Sequence, residues 1–307
     1  MNNTAFKKRA LLIVNPAAGK GLIRHHILNI VQGISNSGYE LVVHPTTRKG
    51  DAIDQMAFAN QYQRVFVVGG DGTLSEVMDG LVRHNEDVPI SYIPMGTMND
   101  FATTLSLPKT INESLSISLG DSLVPIDLGL FNGRVFTYVA AFGALTDVSY
   151  ETPQYRKKIL GQLAYFVEGV MRLPNIPSHV CQIETSEQTI HGEFVFGMIS
   201  NSNSVAGIQQ AFGQQAHLND GQFEVILIKK PKSLIDLQRI LTNFINNKYD
   251  KQYVISFKTN YIKVASTTEM KWTLDGEKGG MVKEAEINIL PRRANVVAPN
   301  YARENTN

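Results

Sequence analysis

Two periods alternate over the first part of the chain. Ala10–Val14 is an unbroken apolar run closed by Asn15-Pro16, the pattern of a strand buried on both faces. Leu22, Ile23, Ile27, Ile30, Val31 and Ile34 then recur at helical spacing. Tyr39–Val43 predicts a second strand, with Ala52, Ile53, Met56 and Ala57 helical behind it. Val65–Val68 predicts a third strand, Leu74, Val77, Met78, Leu81 and Val82 trace one face of the next helix, and Ile90–Ile93 predicts a fourth strand. Strands alternating with helices in this way predict a parallel α/β sheet. Beyond about residue 130 the pattern changes. Val135–Phe142, His179–Thr185, Glu193–Ser200, Phe223–Ile228, Val254–Thr259, Tyr261–Ala265, Lys271–Leu274 and Glu286–Leu290 all read as strands. Helices are predicted only over residues 155–172 and Leu234–Asn246. Many strands joined by polar turns predict an antiparallel β-sandwich. The predicted architecture is therefore an N-terminal Rossmann-like parallel α/β domain followed by a C-terminal antiparallel sandwich, with the change of composition near residues 127–133.

Composition narrows the function classes. Of 307 residues, 43% are hydrophobic and 19% charged, which supplies two cores and excludes wholesale disorder. A formal net charge of +1 argues against a nucleic-acid binder. The single cysteine, Cys181, excludes an internal disulfide framework and a multi-cysteine metal site, and fits a reducing cytosol. Lys7, Lys8 and Arg9 precede an apolar run too short for a signal-peptide core. Nothing approaches the roughly 20 apolar residues of a membrane-spanning helix. A cytoplasmic protein is expected, one that visits a membrane surface without crossing it.

The strongest chemical signal is Val67-Val68-Gly69-Gly70-Asp71-Gly72-Thr73-Leu74, a buried strand running through three glycines into an amphipathic helix. Glycines let the backbone approach a ligand closely, and a helix N-terminus offers N–H groups and the positive end of a dipole. Together they predict a phosphate site. A tight turn with Thr73 as helix cap accounts for one glycine but not for three with an Asp. The Walker spacing is absent, and the dinucleotide pattern counted from Gly70 fails at Ser75. Asn15–Gly21 and Pro94–Phe101 follow the first and fourth strands, and Thr46 follows the second. In open parallel sheets, ligands bind outside the carboxyl ends of the strands, so these loops converge on one crevice.

Asp275-Gly276 lies between two strand-like runs and reads first as a hairpin turn. The functional alternative is a general base, Asp275 or Glu277, for a hydroxyl nucleophile. Asp220-Gly221 is likewise a turn before a strand, or a carboxylate for a hard cation. His25 and His26 are adjacent on a helix and do not share a face, which argues against joint metal ligation; they read as exposed or interfacial. Arg156-Lys157-Lys158 reads as a solvated face that could also meet anionic headgroups.

Taken together the motifs resemble the diacylglycerol kinase catalytic family, especially the soluble bacterial lipid kinases, over nearly the whole chain. The resemblance runs through Asn15-Pro16 with Gly19, Thr46 with Lys49-Gly50-Asp51-Ala52, Gly69–Thr73 and Pro94–Phe101. It continues through Asp127-Leu128-Gly129, Thr152-Pro153 with Gly161, Asn219-Asp220-Gly221 and Leu274-Asp275-Gly276-Glu277. The glycine loop alone is shared with NAD kinases; the Gly96–Phe101 segment and the Leu-Asp-Gly-Glu ending are more specific. Ala206–Gly213 departs from the family, whose glycine-rich approach and proline are replaced here.

The resemblance implies an ATP-binding domain over residues 1–128, to which residues 291–307 return, and a lipid-binding domain over 129–290. It implies ATP contacts from Asn15, Pro16, Ala17, Ala18, Gly19, Thr46, Gly69, Gly70, Asp71, Gly72, Thr73, Leu74, Ser75, Glu76, Gly96, Thr97, Asn99 and Asp100. Asp275 and Glu277 match the catalytic carboxylates, with the choice of base open. Asp220 would hold Mg²⁺ by its side chain, helped by the backbone carbonyls of His217 and Gln222. Asp100 and Asp127 would belong to a charge network near the nucleotide. The implied activity is ATP- and Mg²⁺-dependent phosphorylation of the hydroxyl of diacylglycerol or a related lipid at the inner membrane surface, by a homodimer. An NAD kinase-like enzyme and a non-catalytic nucleotide- or lipid-binding regulator are the alternatives.

Overall fold

A computed structural model describes residues 8–143, 177–202, 204–205, 208–209, 217–245 and 250–299. The chain divides into two units, Met1–Leu128 with Pro291–Asn307, and Gly129–Leu290. The predicted helix over 155–172, with Thr152-Pro153, Arg156-Lys157-Lys158 and Gly161, lies outside the described residues, as does most of Ala206–Gly213.

In the first unit β1 (Lys8–Val14), β2 (Tyr39–Pro45), β3 (Arg64–Gly69) and β4 (Ile90–Pro94) pair in parallel in the order β2-β1-β3-β4. Val296 and Val297, returning from the far end of the chain, add a fifth parallel segment beside Ile90 and Ser91. The apolar runs are continuous because both faces of the sheet are covered. On one face Leu12, Val14, Phe66, Val68 and Ile93 pack with Ile30 and Ile34 of α1 (Ile23–Asn36). Two short helices follow the sequence pattern less closely. The residues from Ala52 form α2 (Asp51–Gln55) and then tighten into a 3₁₀ turn over Met56–Gln61. Beyond α3 (Asp71–Arg83), two helices come without a prediction: α4 (Asp100–Thr104) and α5 (Ile111–Ser118). The second of these carries a legible start signal, Thr110 with Glu113 three residues on: Thr110 is the N-cap, and its Oγ1 accepts the Glu113 N–H.

β5 (Leu123–Phe131) carries the chain from the first unit into the second. The second unit continues with β6 (Arg134–Phe136), β7 (Val139–Gly143), β8 (His179–Thr185) and β9 (Thr189–Ser200). A two-residue pair, β10 (Ser204–Val205) and β11 (Ile208–Gln209), precedes β12 (Phe223–Lys229) and α6 (Leu234–Ile245). Then come β13 (Val254–Thr259), β14 (Tyr261–Leu274) and β15 (Glu277–Val297), whose last residues supply the fifth segment of the first unit. The ladder of the second unit is antiparallel and runs β13-β12-β9-β7-β14-β15, with β8 also bridging β9 and β14. Its core is aromatic: Trp272 is fully buried and meets the rings of Phe142 and Phe131 at centroid distances of 4.9 and 5.0 Å.

Four predicted strands change shape. Val135–Phe142 is two strands, interrupted at Thr137 and Tyr138. Tyr261–Ala265 and Lys271–Leu274 are one strand, whose register shifts between Ala265 and Met270. Glu286–Leu290 is the middle of a 21-residue strand that passes through Pro291. A proline is tolerated there because the strand kinks at Arg292, where φ is +49°, and the Arg292 N–H leaves the ladder to donate to Asp127.

Candidate active site

The loops at the carboxyl ends of the first unit's strands are tied to one another by short polar contacts. Asn15 ends β1; its Nδ2 donates to Thr73 Oγ1 at 3.1 Å, while its Oδ1 accepts the Ala17 N–H at 3.0 Å. The Met95 N–H donates to the Gly69 carbonyl at 2.7 Å, drawing together the loops after β3 and β4. These loops touch backbone to backbone. A Cβ on Gly96 would sit 2.6 Å from Gly70 Cα, and one on Gly70 would sit 3.0 Å from Gly96 Cα. Neither position tolerates a side chain without displacing the other loop. Thr46 and Gly50, after β2, join the same end: the Thr46 N–H donates to the Val14 carbonyl and the Gly50 N–H to Glu76 Oε1 of α3 at 2.8 Å.

Asp71 has a task the sequence does not announce. Its carboxylate accepts the Asp100 N–H at 3.2 Å and the Phe101 N–H at 3.3 Å, so it caps the first turn of α4. Asn99, in the left-handed region at φ +54°, clasps the same loop by accepting the Gly96 N–H and donating to the Gly96 carbonyl. Beneath them lies fully buried Tyr92, whose hydroxyl is 3.3 Å from the Gly69 carbonyl and 3.5 Å from Asn99 Oδ1. Burial first, and then the charges of Asp71 and Asp100, push the Tyr92 phenol well above its ordinary range. Tyr92 was readable in the sequence only as a strand residue. Asp51 is a second carboxylate fixed near this end. It accepts the Thr47 N–H at 2.7 Å and the Thr47 hydroxyl at 3.0 Å, and His44 Nε2 lies 3.2 Å away. The Thr47 N–H, against the opposing effect of burial, holds the Asp51 carboxyl below the usual carboxylate range, with the Thr47 hydroxyl and His44 assisting.

The start of α3 brings Gly70–Thr73 and the backbone amides of its first turn to the dipole end of a 13-residue helix. Thr97 is exposed on the adjoining loop, and Ser75 and Glu76 are half-buried in the first turns of α3. Two expected contact residues do not fit a side-chain role. Leu74 is fully buried with its N–H bonded to the Gly70 carbonyl, and Ala18 is part of the sheet's hydrophobic core. Asp127, also fully buried, accepts the Arg292 N–H at 2.6 Å and so holds the returning chain.

The second unit holds the other predicted carboxylates. Asp275 and Gly276, at φ +49° and +77°, form the two-residue turn between β14 and β15, flanked by the Leu274–Glu277 pair. The hairpin reading is therefore right, and the turn does more than reverse the chain. Asp275 is buried, and its carboxylate accepts three successive backbone N–H groups: Thr137 at 2.7 Å, Tyr138 at 2.9 Å and Val139 at 3.1 Å. The Asp275 N–H donates in turn to the Val139 carbonyl at 2.8 Å. This is why the strand predicted over Val135–Phe142 breaks: its amides turn to a side chain instead of a neighbouring strand. Glu277, two residues on, is exposed.

Asp220, expected to hold a metal with the carbonyls of His217 and Gln222, has both carboxylate oxygens engaged by groups of the chain. Asp220 Oδ1 accepts the Gln222 N–H at 3.1 Å, closing an Asx turn, and Oδ2 lies 3.0 Å from Lys258 Nζ. Lys258 Nζ is also 3.0 Å from Oε1 of Glu224, a buried carboxylate directly across the β12–β13 ladder. Burial pushes the Glu224 carboxyl up and Lys258 pulls it back; partial burial lowers Lys258, but its two carboxylate partners raise it overall. Among the described residues no group of three or more His, Cys, Asp or Glu is placed to hold a metal ion. With an ammonium already at its carboxylate oxygen, this donor set does not fit a resident divalent cation.

Comparison with known proteins places these features in a family. The family model described as the diacylglycerol kinase catalytic domain matches residues 9–131. A diacylglycerol kinase of Bacillus subtilis (strain 168) is 33% identical over 296 residues, 95% of this chain and 97% of its own. A diacylglycerol kinase of Staphylococcus haemolyticus (strain JCSC1435) is 35% identical over 296 residues, 95% of this chain and 89% of its own. A crystal structure from Bacillus anthracis str. Sterne superimposes with a TM-score of 0.83 at 24% identity, covering 96% of this chain and 98% of that one. Another from that strain, described as a diacylglycerol kinase, gives 0.76 at 22% identity, covering 95% and 97%. At these identities the structural likeness speaks for the fold alone.

Proposed function

Since the chain belongs to the diacylglycerol kinase family and is a lipid kinase of that type, we propose that it moves the γ-phosphoryl group of ATP to the hydroxyl of diacylglycerol or a closely related lipid. ATP enters as its magnesium complex, the metal arriving with the substrate. The observation that carries the nucleotide reading is the backbone contact of Gly70 and Gly96 at the N-terminus of α3. The absence of side chains lets the two loops pack backbone to backbone and offer their amides together at the dipole end of α3, where phosphate oxygens bind. We read the first unit as a Rossmann-like nucleotide domain, which its parallel strand order supports, and the second as a β-sandwich built around one aromatic core.

The hydroxyl oxygen attacks the γ-phosphorus and forms the new P–O bond. The bond from phosphorus to the β,γ-bridging oxygen breaks, and ADP leaves with that electron pair. The hydroxyl proton goes to the carboxylate of Glu277. Exposure of Glu277 supports this assignment. So does the engagement of Asp275, whose oxygens already accept three backbone N–H bonds. A proton on either oxygen would face a donor. Asp275 acts as a positioning residue that fixes the turn from which Glu277 projects. Most of the rate enhancement comes from orientation and charge neutralisation, on which phosphoryl transfer chiefly depends. The acceptor is a membrane lipid, so the enzyme works at the cytoplasmic membrane face as a peripheral protein. Among the described residues no helix is long and apolar enough to cross a membrane.

The test is a pair of variants measured for folding and for transfer. Glu277→Gln is expected to melt like the wild type and to lose about 10²–10⁴-fold in kcat, with KM for ATP little changed. Asp275→Asn is expected to lose stability first, and activity only in proportion to misplacement of the turn. Full kcat in Glu277→Gln would remove Glu277 as the base.

A further inference from the structure

We infer that Lys258 is a built-in counter-cation that takes the place of a divalent metal at the Asp220 turn, so that this corner of the second unit is metal-independent. The inference concerns the second unit's own architecture and does not rest on the lipid or nucleotide reading. Three observations carry it. Asp220 places a carboxylate on an exposed Asp-Gly turn before β12, at which Gly221 has φ +72°. A second carboxylate, Glu224, lies four residues on with its side chain only 8% exposed. Two carboxylates at one corner, one of them buried, need a positive charge. Lys258 supplies it from the neighbouring strand, with Nζ 3.0 Å from Asp220 Oδ2 and 3.0 Å from Glu224 Oε1.

The position of Lys258 is not a freely swinging surface charge. β12 and β13 pair antiparallel with Glu224 directly opposite Lys258, so the ladder holds the stem of the lysine beside both acids. An ammonium has three donors and no preferred octahedral shell; it can span two carboxylates without the six or more oxygen ligands that Ca²⁺ or Mg²⁺ requires. With Nζ in place a divalent ion would meet a positive charge at the oxygen it needs. Binding would require expelling Lys258, and Asp220 Oδ1 is already committed to the Gln222 N–H.

The test uses the full-length chain without nucleotide, Mn²⁺ as probe, and two readouts: bound Mn²⁺ by electron paramagnetic resonance and melting temperature against Mn²⁺ or chelator. The wild type is expected to hold no Mn²⁺ through Asp220, and its melting temperature to be indifferent to chelator. Lys258→Met exposes the two acids to each other. It is expected to melt lower in metal-free buffer and to recover by about 3–6 °C at a Mn²⁺ concentration ten times its dissociation constant. Adding Asp220→Asn is expected to abolish that recovery. Two results would overturn the inference: a Mn²⁺ ion bound by the wild type and lost in Asp220→Asn, or a folded Lys258→Met that ignores Mn²⁺. Should Lys258→Met fail to fold, the comparison of wild type with Asp220→Asn alone decides the matter.

Discussion

Replacing Asp275 separates its structural task from any chemistry nearby. In Asp275→Ala the N–H groups of Thr137, Tyr138 and Val139 lose their acceptor. A buried donor left without a partner costs about 1–3 kcal/mol, which bounds the loss at roughly 3–9 kcal/mol. Local relaxation and entering water favour the lower half, so about 3–5 kcal/mol is the working expectation. Asp275→Asn is milder. Its amide oxygen can still accept from Tyr138 and Val139, which share Oδ1, while its NH₂ group faces the Thr137 N–H. Asn also tolerates the left-handed backbone, at φ +49°, better than Ala does. The expected cost is about 1–3 kcal/mol. At roughly 2–4 °C per kcal/mol for a unit of this size, Ala should lower the melting temperature by about 6–20 °C and Asn by about 2–12 °C. Differential scanning calorimetry is the assay, read on the second unit's transition should the two units melt separately. The reasoning fails if Ala melts within a degree or so of the wild type, or if Ala is no less stable than Asn.

Two further outcomes follow from single groups. Asp51 is held below the usual carboxylate range, so its stabilisation is complete above the unfolded value near 3.9 and is lost as pH falls through the lower folded value. The stability gap between wild type and Asp51→Asn, measured by denaturant titration, should therefore be constant near neutrality and shrink below about pH 4; a gap that widens on acidification contradicts the assignment. Cys181 is buried against Met270 and its thiol is pushed up to about 11 by that burial, despite a hydrogen bond from Ser266. Native protein at pH 8 should react negligibly with a thiol reagent and stoichiometrically once unfolded; rapid native labelling would show that the second unit opens around β8.

What was legible in the sequence was what local periodicity encodes. β1, β3 and β4 stood out because their faces are both buried, leaving continuous apolar runs. The strand–glycine–helix junction after β3 was legible because a continuous apolar run, three glycines and an amphipathic pattern follow directly on one another. The break at Thr137 was not legible, because its cause is a side chain 138 residues away along the chain. The pattern predicts two strands, Tyr261–Ala265 and Lys271–Leu274, yet β14 absorbs the polar stretch between them as an irregularity and continues. The next predicted strand stops at Leu290, whereas β15 runs on through Pro291 with a kink at Arg292, whose N–H the Asp127 carboxylate accepts. The roles of Asp71 and Asp220 were half read. Their residue types pointed to charge chemistry, but the partners that engage them, the amides of α4 and the ammonium of Lys258, lie far along the chain. Motif spacing names the polar groups of a site; only the fold says which of them are already occupied.

Phosphate transfer from labelled ATP with Mg²⁺ to a panel of acceptors tests the central claim most directly. The panel holds diacylglycerol and other hydroxyl-bearing lipids in mixed micelles, with NAD as a water-soluble control, and Glu277→Gln runs beside the wild type. The account predicts label in lipid and none in NAD, with lipid labelling reduced about 10²–10⁴-fold in a normally folded Glu277→Gln. Label in NAD alone, or nucleotide binding with no transfer to any lipid of the panel, would contradict it.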